Sequence, residues 1–248
     1  MRNVLRLISG MAVAFCAWGQ VPASFMAASI RPSAADVKFE HDGAIQATPE
    51  SVTMRDVLLT SCMEWAWGIQ ENQISGPEWI QDARYDIVAR AERPVAVDQL
   101  KLMMRTLLKE RFGLEFHHEL KELTAYEMTV AKGGSRMKEA AADEKPSREN
   151  TAISTIAKAI TMRQFADFIS QPLRMPVVDH TGLTGRYDFV LNFTAYLPTG
   201  EKNMTPDFDN NNGIILSAIQ GELGLKLESH KLPVETYVID HVEKPSPN

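Results

Sequence analysis

The sequence predicts an α+β protein built from two similar tandem halves, each packing two helices on a mostly antiparallel sheet. Three observations lead there. The first is a weak internal repeat in constant order. "TMRDVL" (53–58) is answered by "TMRQFA" (161–166), and "ARYDIV" (83–88) by "GRYDFV" (185–190). "RFGLEFH" (111–117) is answered by "ELGLKLE" (222–228), and "LTAYEMTV" (123–130) by "PVETYVID" (233–240), with Tyr126 matching Tyr237. The second is that helical spacing of apolar residues gives way to strand-like alternation in each half. The third is a glycine between apolar residues after each second helix, Phe112-Gly113-Leu114 and Leu223-Gly224-Leu225, a helix-closing pattern.

The elements follow in chain order. Arg2 and Arg6 precede a 12-residue apolar run (7–18) and "VPA" (21–23), the layout of a secretory signal peptide over 1–23. The apolar run is short for a bilayer span, and an uncleaved anchor is the alternative. "FMAASI" (25–30) reads as a strand, and "VKFEHDGAIQAT" (37–48) as a hairpin with Asp42-Gly43 at its tip. Residues 24–132 then form the first repeat. Its first helix is expected from Thr53, with Met54, Val57, Leu58, Cys62 and Trp65 on one face. Its second helix starts at Asp98, with Leu100, Met104, Leu107 and Leu108 inward. "LEFHHE" (114–119) and "AYEMTVA" (125–131) read as two strands with a short polar connection.

The charged stretch 133–150 reads as a linker or long surface loop, and 151–248 as the second repeat. Thr161 caps a helix with Gln164 completing a capping box, and Met162, Phe165, Ala166 and Ile169 form its inner face. In "RYDFVLNF" (186–193), Tyr187, Phe189, Leu191 and Phe193 share one strand face, with Arg186 and Asp188 on the other as a candidate ion pair. Arg84 and Asp86 take the same outward positions in the first half. A polar interruption (196–213) precedes a helix carrying Ile215, Ala218 and Ile219. "LKLESH" (225–230) and "TYVIDHV" (236–242) close the chain as a strand pair, with Pro233 in the turn.

Composition narrows the function. Signal cleavage removes two arginines, leaving 24 basic residues against 32 acidic, net −8, with no basic stripe, so nucleic acid is not an expected partner. Only Cys62 survives cleavage, and its apolar neighbours point to a buried thiol. No G-x-S-x-G elbow, zinc-peptidase helix or phosphate-cradling glycine loop is present. His117 and His118 are adjacent on a strand and point to opposite faces, which does not suit a shared metal ion. "DFDNNNG" (207–213) has calcium-like spacing but lacks the glycine and the closing glutamate. No cofactor is expected.

Two groups of residues stand out. Asp179, His180 and Thr181, ahead of Gly182 and Gly185, form either a side-chain-stabilised turn or a ligand or catalytic site. Trp65, Trp67 and Trp79, among Gly68, Gly76 and Pro77, form either core packing or a recognition surface. The candidate contacts are Asp179, His180, Arg186, Asp188, Trp67, Trp79 and Arg84.

"ASIRPS" (28–33), "QISGPEWI" with "RYDIVARA" (73–80, 84–91), the stretch 100–134, "PVVDHTGLTGRYDF" (176–189) and "YVIDHVEKPSPN" (237–248) together resemble a large family of uncharacterised exported proteins from soil bacteria. Some domains similar to these follow a membrane zinc-peptidase sensor of the beta-lactam-receptor type. The resemblance implies an extracytoplasmic sensing or interaction module and transfers no catalytic residue. The expected function is an exported, non-enzymatic binding module, periplasmic or extracellular, with an envelope protein or small ligand as partner. No membrane span is expected once the signal is removed. The rival is an envelope hydrolase using Asp179 and His180.

Overall fold

A computed structural model describes residues 23–33, 43–197 and 212–245. Residues 1–22 of the expected signal peptide (1–23), the first arm of the expected hairpin at 37–41 and most of the calcium-like stretch lie outside them. The chain is α+β, and its described residues form three four-stranded sheets.

The first sheet takes β1 (Ala27–Pro32), β2 (Ala44–Thr48), β3 (Ser51–Leu58) and β5 (Arg84–Arg90), in the order β1-β5-β3-β2. All its pairings are antiparallel. Helix α1 (Leu59–Trp67) follows β3 directly, β4 (Ile74–Ser75) follows α1, and α2 (Val97–Phe112) follows β5. The first helix therefore begins at Leu59, not Thr53. The reason lies in β3. Val52 and Met54 point inward by alternation, and an irregular step between Met54 and Val57 then brings Val57 inward as well. A β-bulge adds one residue to a strand and shifts its parity, so a bulged strand imitates the three-residue spacing of a helix. "TMRDVL" is a strand and "TMRQFA" a helix, so that pair of matching stretches is not structurally equivalent.

The second outer sheet takes β7 (Lys138–Glu139), β8 (Ser147–Asn150), β9 (Ser154–Thr161) and β11 (Arg186–Asn192), in the order β7-β11-β9-β8. Helix α3 (Met162–Leu173) follows β9, and β10 (Val177–Asp179) follows α3. Thr161 caps α3 as expected: its hydroxyl accepts from the Gln164 amide at 3.2 Å, and the Gln164 side chain accepts from the Thr161 amide at 3.0 Å. The stretch 133–150 is not a bare linker, because it supplies β7 and β8, which flank β11 and β9.

The two outer sheets match strand for strand in order. They share finer details too. The hydroxyl of Thr48 accepts from the Ser51 amide at 3.1 Å in the turn before β3, and that of Thr151 accepts from the Ser154 amide at 3.0 Å before β9. Each central strand is bulged, with a non-glycine residue at positive φ: Asp56 at 52° and Ala159 at 49°.

The third sheet joins them. Strands β6 (Glu115–Val130) and β12 (Leu225–His241) run antiparallel along nearly their whole length. The sheet order is β10-β6-β12-β4, with β10 and β4 parallel to their neighbours. Each long strand was expected as two strands around a turn. Both run straight through because the polar middles pair with each other, Glu122 opposite Pro233 and Leu120 opposite Glu235. Proline is tolerated in a strand with an open side, and β4 reaches β12 only at Tyr237 and Val238.

Before β12, α4 (Asn212–Ala218) continues as a wider helical turn over Ile219–Leu223. Both helix ends close on a left-handed glycine, Gly113 at φ 58° and Gly224 at φ 67°. One core gathers α1, α2 and the first sheet around Met54, Met104, Leu108 and Phe112. The other gathers α3, α4 and the second sheet around Phe165, Phe189, Ile215 and Ile219. The central sheet serves both: Phe116 and Ile239 pack in the first core, Met128 and Leu225 in the second.

Candidate functional site

The Arg-Tyr-Asp elements are builders of the bulges. A bulge leaves one backbone N–H without a ladder partner. The amide of Asp56 donates to Asp86 Oδ1 at 2.9 Å, and that of Ala159 donates to Asp188 Oδ1 at 2.9 Å. The same hydrogen bond, from the Ala159 amide, is the main reason the Asp188 carboxyl sits below its usual pKa, with Lys158 assisting. Arg186 and Asp188 do not pair with each other. Lys158 Nζ lies 3.6 Å from Asp188, and Arg186 donates to the carbonyls of Glu144 and Ala142. Arg84 donates to the Asp56 carbonyl at 2.7 Å.

Asp179 and His180 diverge, as neighbours on a strand must. Asp179 Oδ1 accepts from the Thr181 amide at 3.0 Å and the Thr181 hydroxyl at 2.7 Å, and the Thr181 hydroxyl in turn accepts from the Leu183 amide. This is a turn held by its own side chains. His180 continues the pairing of β10 through its amide to the Met128 carbonyl, while its Nδ1 lies 2.7 Å from Glu127 on β6. The imidazole is half exposed, and His230 lies 3.8 Å from the other Glu127 oxygen. Among the described residues no group of three or more His, Cys, Asp or Glu side chains is placed to hold a metal ion. Cys62 is buried beside Met54.

Trp67 and Trp79 part company as well. Trp79 packs on the first core with Lys244 Nζ 5.7 Å from its ring centre. Trp67, at the end of α1, borders an open-mouthed cavity of about 510 Å³. The walls come from both parts of the chain: Trp67, Gly68, Ile69 and Gln73 from one, Arg163, Ala166, Asp167 and Ser170 of α3 from the other. Leu120, Pro233, Glu235 and Tyr237 of the two long strands, with β10 through Asp179, complete it. Two hydrogen bonds staple the parts beside this cavity, Gln70 to the Ser170 carbonyl at 3.1 Å and Gln171 to the Ile69 carbonyl at 3.2 Å.

The aromatic wall is held from behind. Phe116 meets Trp67 edge-on with ring centres 5.4 Å apart, and Tyr237 stands 6.4 Å away. Arg105 lies 5.4 Å over the Trp67 ring while donating to the Ala66 carbonyl at 2.8 Å. The polar wall is unbalanced. Arg163 lies 3.5 Å from Glu235, whose other oxygen is 3.5 Å from His118. The Asp167 carboxyl is pushed above its usual pKa by desolvation; Arg163 opposes that rise, and Glu235 adds a smaller push to it. Burial also raises the Tyr237 hydroxyl, again with Glu235 adding to it.

Of the seven residues singled out from sequence, only Trp67 and Asp179 reach this cavity. Arg163, Asp167 and Glu235 were missed, because each reads as an ordinary exposed charge. The one available signal was the Arg163/Asp167 pair, one turn apart on α3 and bordering its apolar stripe.

Fold and cavity together define a class: a two-core α+β scaffold with an amphipathic cleft at the junction. The chain belongs to the family described as a protein of unknown function, DUF3738, which matches residues 60–242. No curated protein and no solved structure matches it.

Proposed function

We propose that this chain is an exported, non-enzymatic binding module of the cell envelope whose ligand occupies the junction cavity. The observation that carries the proposal is the cavity itself. It is concave, mixed apolar and polar, within the size range of small-molecule sites, and lies between two packed units, where such sites concentrate. The signal-like N-terminus supports export. A soil-bacterial setting and fusion behind receptor-type peptidases, both implied by the sequence resemblance, fit a sensing role. In this reading the two units are copies of one folding motif. The matching sheet orders, the two Thr-Ser turns and the two Asp-held bulges support it. The stretch from about residue 138 then belongs to the second copy.

The hydrolase alternative has less support, because His180 is not among the residues lining the cavity and the Asp179 carboxylate is engaged by Thr181. The test is native mass spectrometry of the mature protein purified from its own envelope. A stoichiometric small companion, lost in Trp67→Ala, is the expected result. Turnover of an envelope substrate that disappears in His180→Ala would replace the binding reading with the hydrolase.

A further inference from the structure

We propose that the junction cavity takes a small amphiphilic cation, with an amine head against Asp167 and an apolar or aromatic body along Trp67 and Tyr237. The inference rests on the binding reading above and adds the chemistry of the ligand. Charge is the first argument. Among the described residues the lining holds one cation, Arg163, against three carboxylates, Asp167, Asp179 and Glu235. Arg163 is engaged by Glu235, and Asp179 by Thr181. Asp167 has no hydrogen bond or ion pair among the described residues, although Arg163 stands one helical turn away. Asp167 is exposed at the cavity wall, so its carboxylate is open to a ligand ammonium, and the desolvation that raises its pKa is what such a partner would relieve.

Shape and rigidity are the second argument. Trp67 is half-buried, backed by Phe116 and covered on one side by Arg105, so its ring is fixed before any ligand arrives. Preorganised aromatic surface binds with little further loss of side-chain freedom. Aromatic rings also favour a neighbouring cation. An anionic ligand would meet the lining's excess of carboxylates.

The experiment uses three probes that share one ring and a two-carbon arm: 2-phenylethylamine, 2-phenylethanol and phenylacetate. Binding to the mature chain is read by tryptophan emission and by thermal shift. Trp67→Phe identifies the emission change as arising in this cavity, and circular dichroism checks the fold of each variant. The amine should bind most tightly and phenylacetate least. Asp167→Asn should weaken the amine by about tenfold, the scale of one charge-assisted hydrogen bond, and leave the alcohol unchanged. If phenylacetate matches the amine, or Asp167→Asn leaves the amine unaffected, the cation assignment is wrong while the cavity reading stands. If none of the three binds at millimolar concentration, the cation assignment fails, and the native mass spectrometry above decides the cavity reading by itself.

Discussion

The two Arg-Tyr-Asp strands carry the same three residues and use only two of them alike. Tyr85 and Tyr187 both turn toward their cores, and Asp86 and Asp188 both accept a bulge amide. The arginines differ. Arg84 stays at its own bulge, where Asp56 offers both a carbonyl and a carboxylate, the latter at 3.5 Å. At the other bulge Ala159 offers no carboxylate, and Arg186 reaches instead to the carbonyls of Ala142 and Glu144, between β7 and β8. The comparison separates two kinds of repetition. The aspartates recur because an extra strand residue always strands an N–H. The arginines are similar in sequence but take whatever acceptor their surroundings provide.

The largest expected effect tests whether the two cores stand or fall together. Phe112 and Phe165 are fully buried, one in each core. Truncating either to alanine should cost about 3–5 kcal/mol. Because β6 and β12 each thread both cores, denaturant unfolding of both variants should remain a single transition by fluorescence and by circular dichroism. Two separated transitions in Phe165→Ala, with the first core surviving, would show that the central ribbon does not couple them.

A middle-sized effect belongs to the bulges. Asp86→Ala leaves the Asp56 amide without its acceptor and should cost about 1–3 kcal/mol in chemical denaturation. The bulge residues themselves should respond with opposite sign. Ala159 holds a left-handed conformation that costs a non-glycine residue about 1–2 kcal/mol, so Ala159→Gly should be neutral to stabilising. Asp56→Gly gains the same relief but loses the carboxylate facing Arg84, and should come out less stable than Ala159→Gly relative to the parent chain. Equal shifts for the two glycine variants would mean that the Arg84 contact contributes nothing.

These bulges also explain what could be read in the sequence. The inward faces of β5, α2, β11 and α3 were legible because nothing interrupts their periodicity, and Thr161 with Gln164 announced a helix start through local chemistry alone. The start of α1 was illegible because one added residue in β3 turned a two-residue period into a helical one. The continuity of β6 and β12 was illegible for a different reason. Polar residues at 117–124 and 228–235 look like a turn until the partner strand, about a hundred residues away, is known to pair with them. The cavity fell outside sequence reasoning on the same ground, since Trp67, Asp167 and Glu235 meet only through that long-range pairing. Trp67 could be singled out as a loop aromatic, but Asp167 carried no local mark.

The smallest effect contrasts the bulge with the ribbon as pH changes. The folded state holds the Asp188 carboxyl below its ordinary value of 3.8, mainly through the Ala159 amide. A depressed carboxylate pKa means that the folded chain binds the proton less readily than the unfolded one. Its contribution is therefore intact above 3.8 and is lost as pH falls through the lower folded value. His117, on β6, behaves oppositely. Hydrogen bonds donated by its ring to Glu119 first and Asp240 second raise its imidazole above the ordinary 6.5. That contribution is intact below 6.5 and is lost as pH rises through the folded value. In thermal melts across pH, Asp188→Asn keeps an oxygen for the Ala159 amide and should flatten only the acid limb. His117→Gln should flatten the limb above 6.5, and should also soften the acid limb slightly because Glu119 is held low by its bond to His117. The His117 side chain is about half exposed and that of Asp188 largely covered, so screening by salt should shrink the His117 effect more than the Asp188 effect. An acid limb unchanged in Asp188→Asn would mean that the bulge needs an acceptor oxygen but not a charge, and the recurrence of aspartate rather than asparagine at positions 86 and 188 would then need another cause.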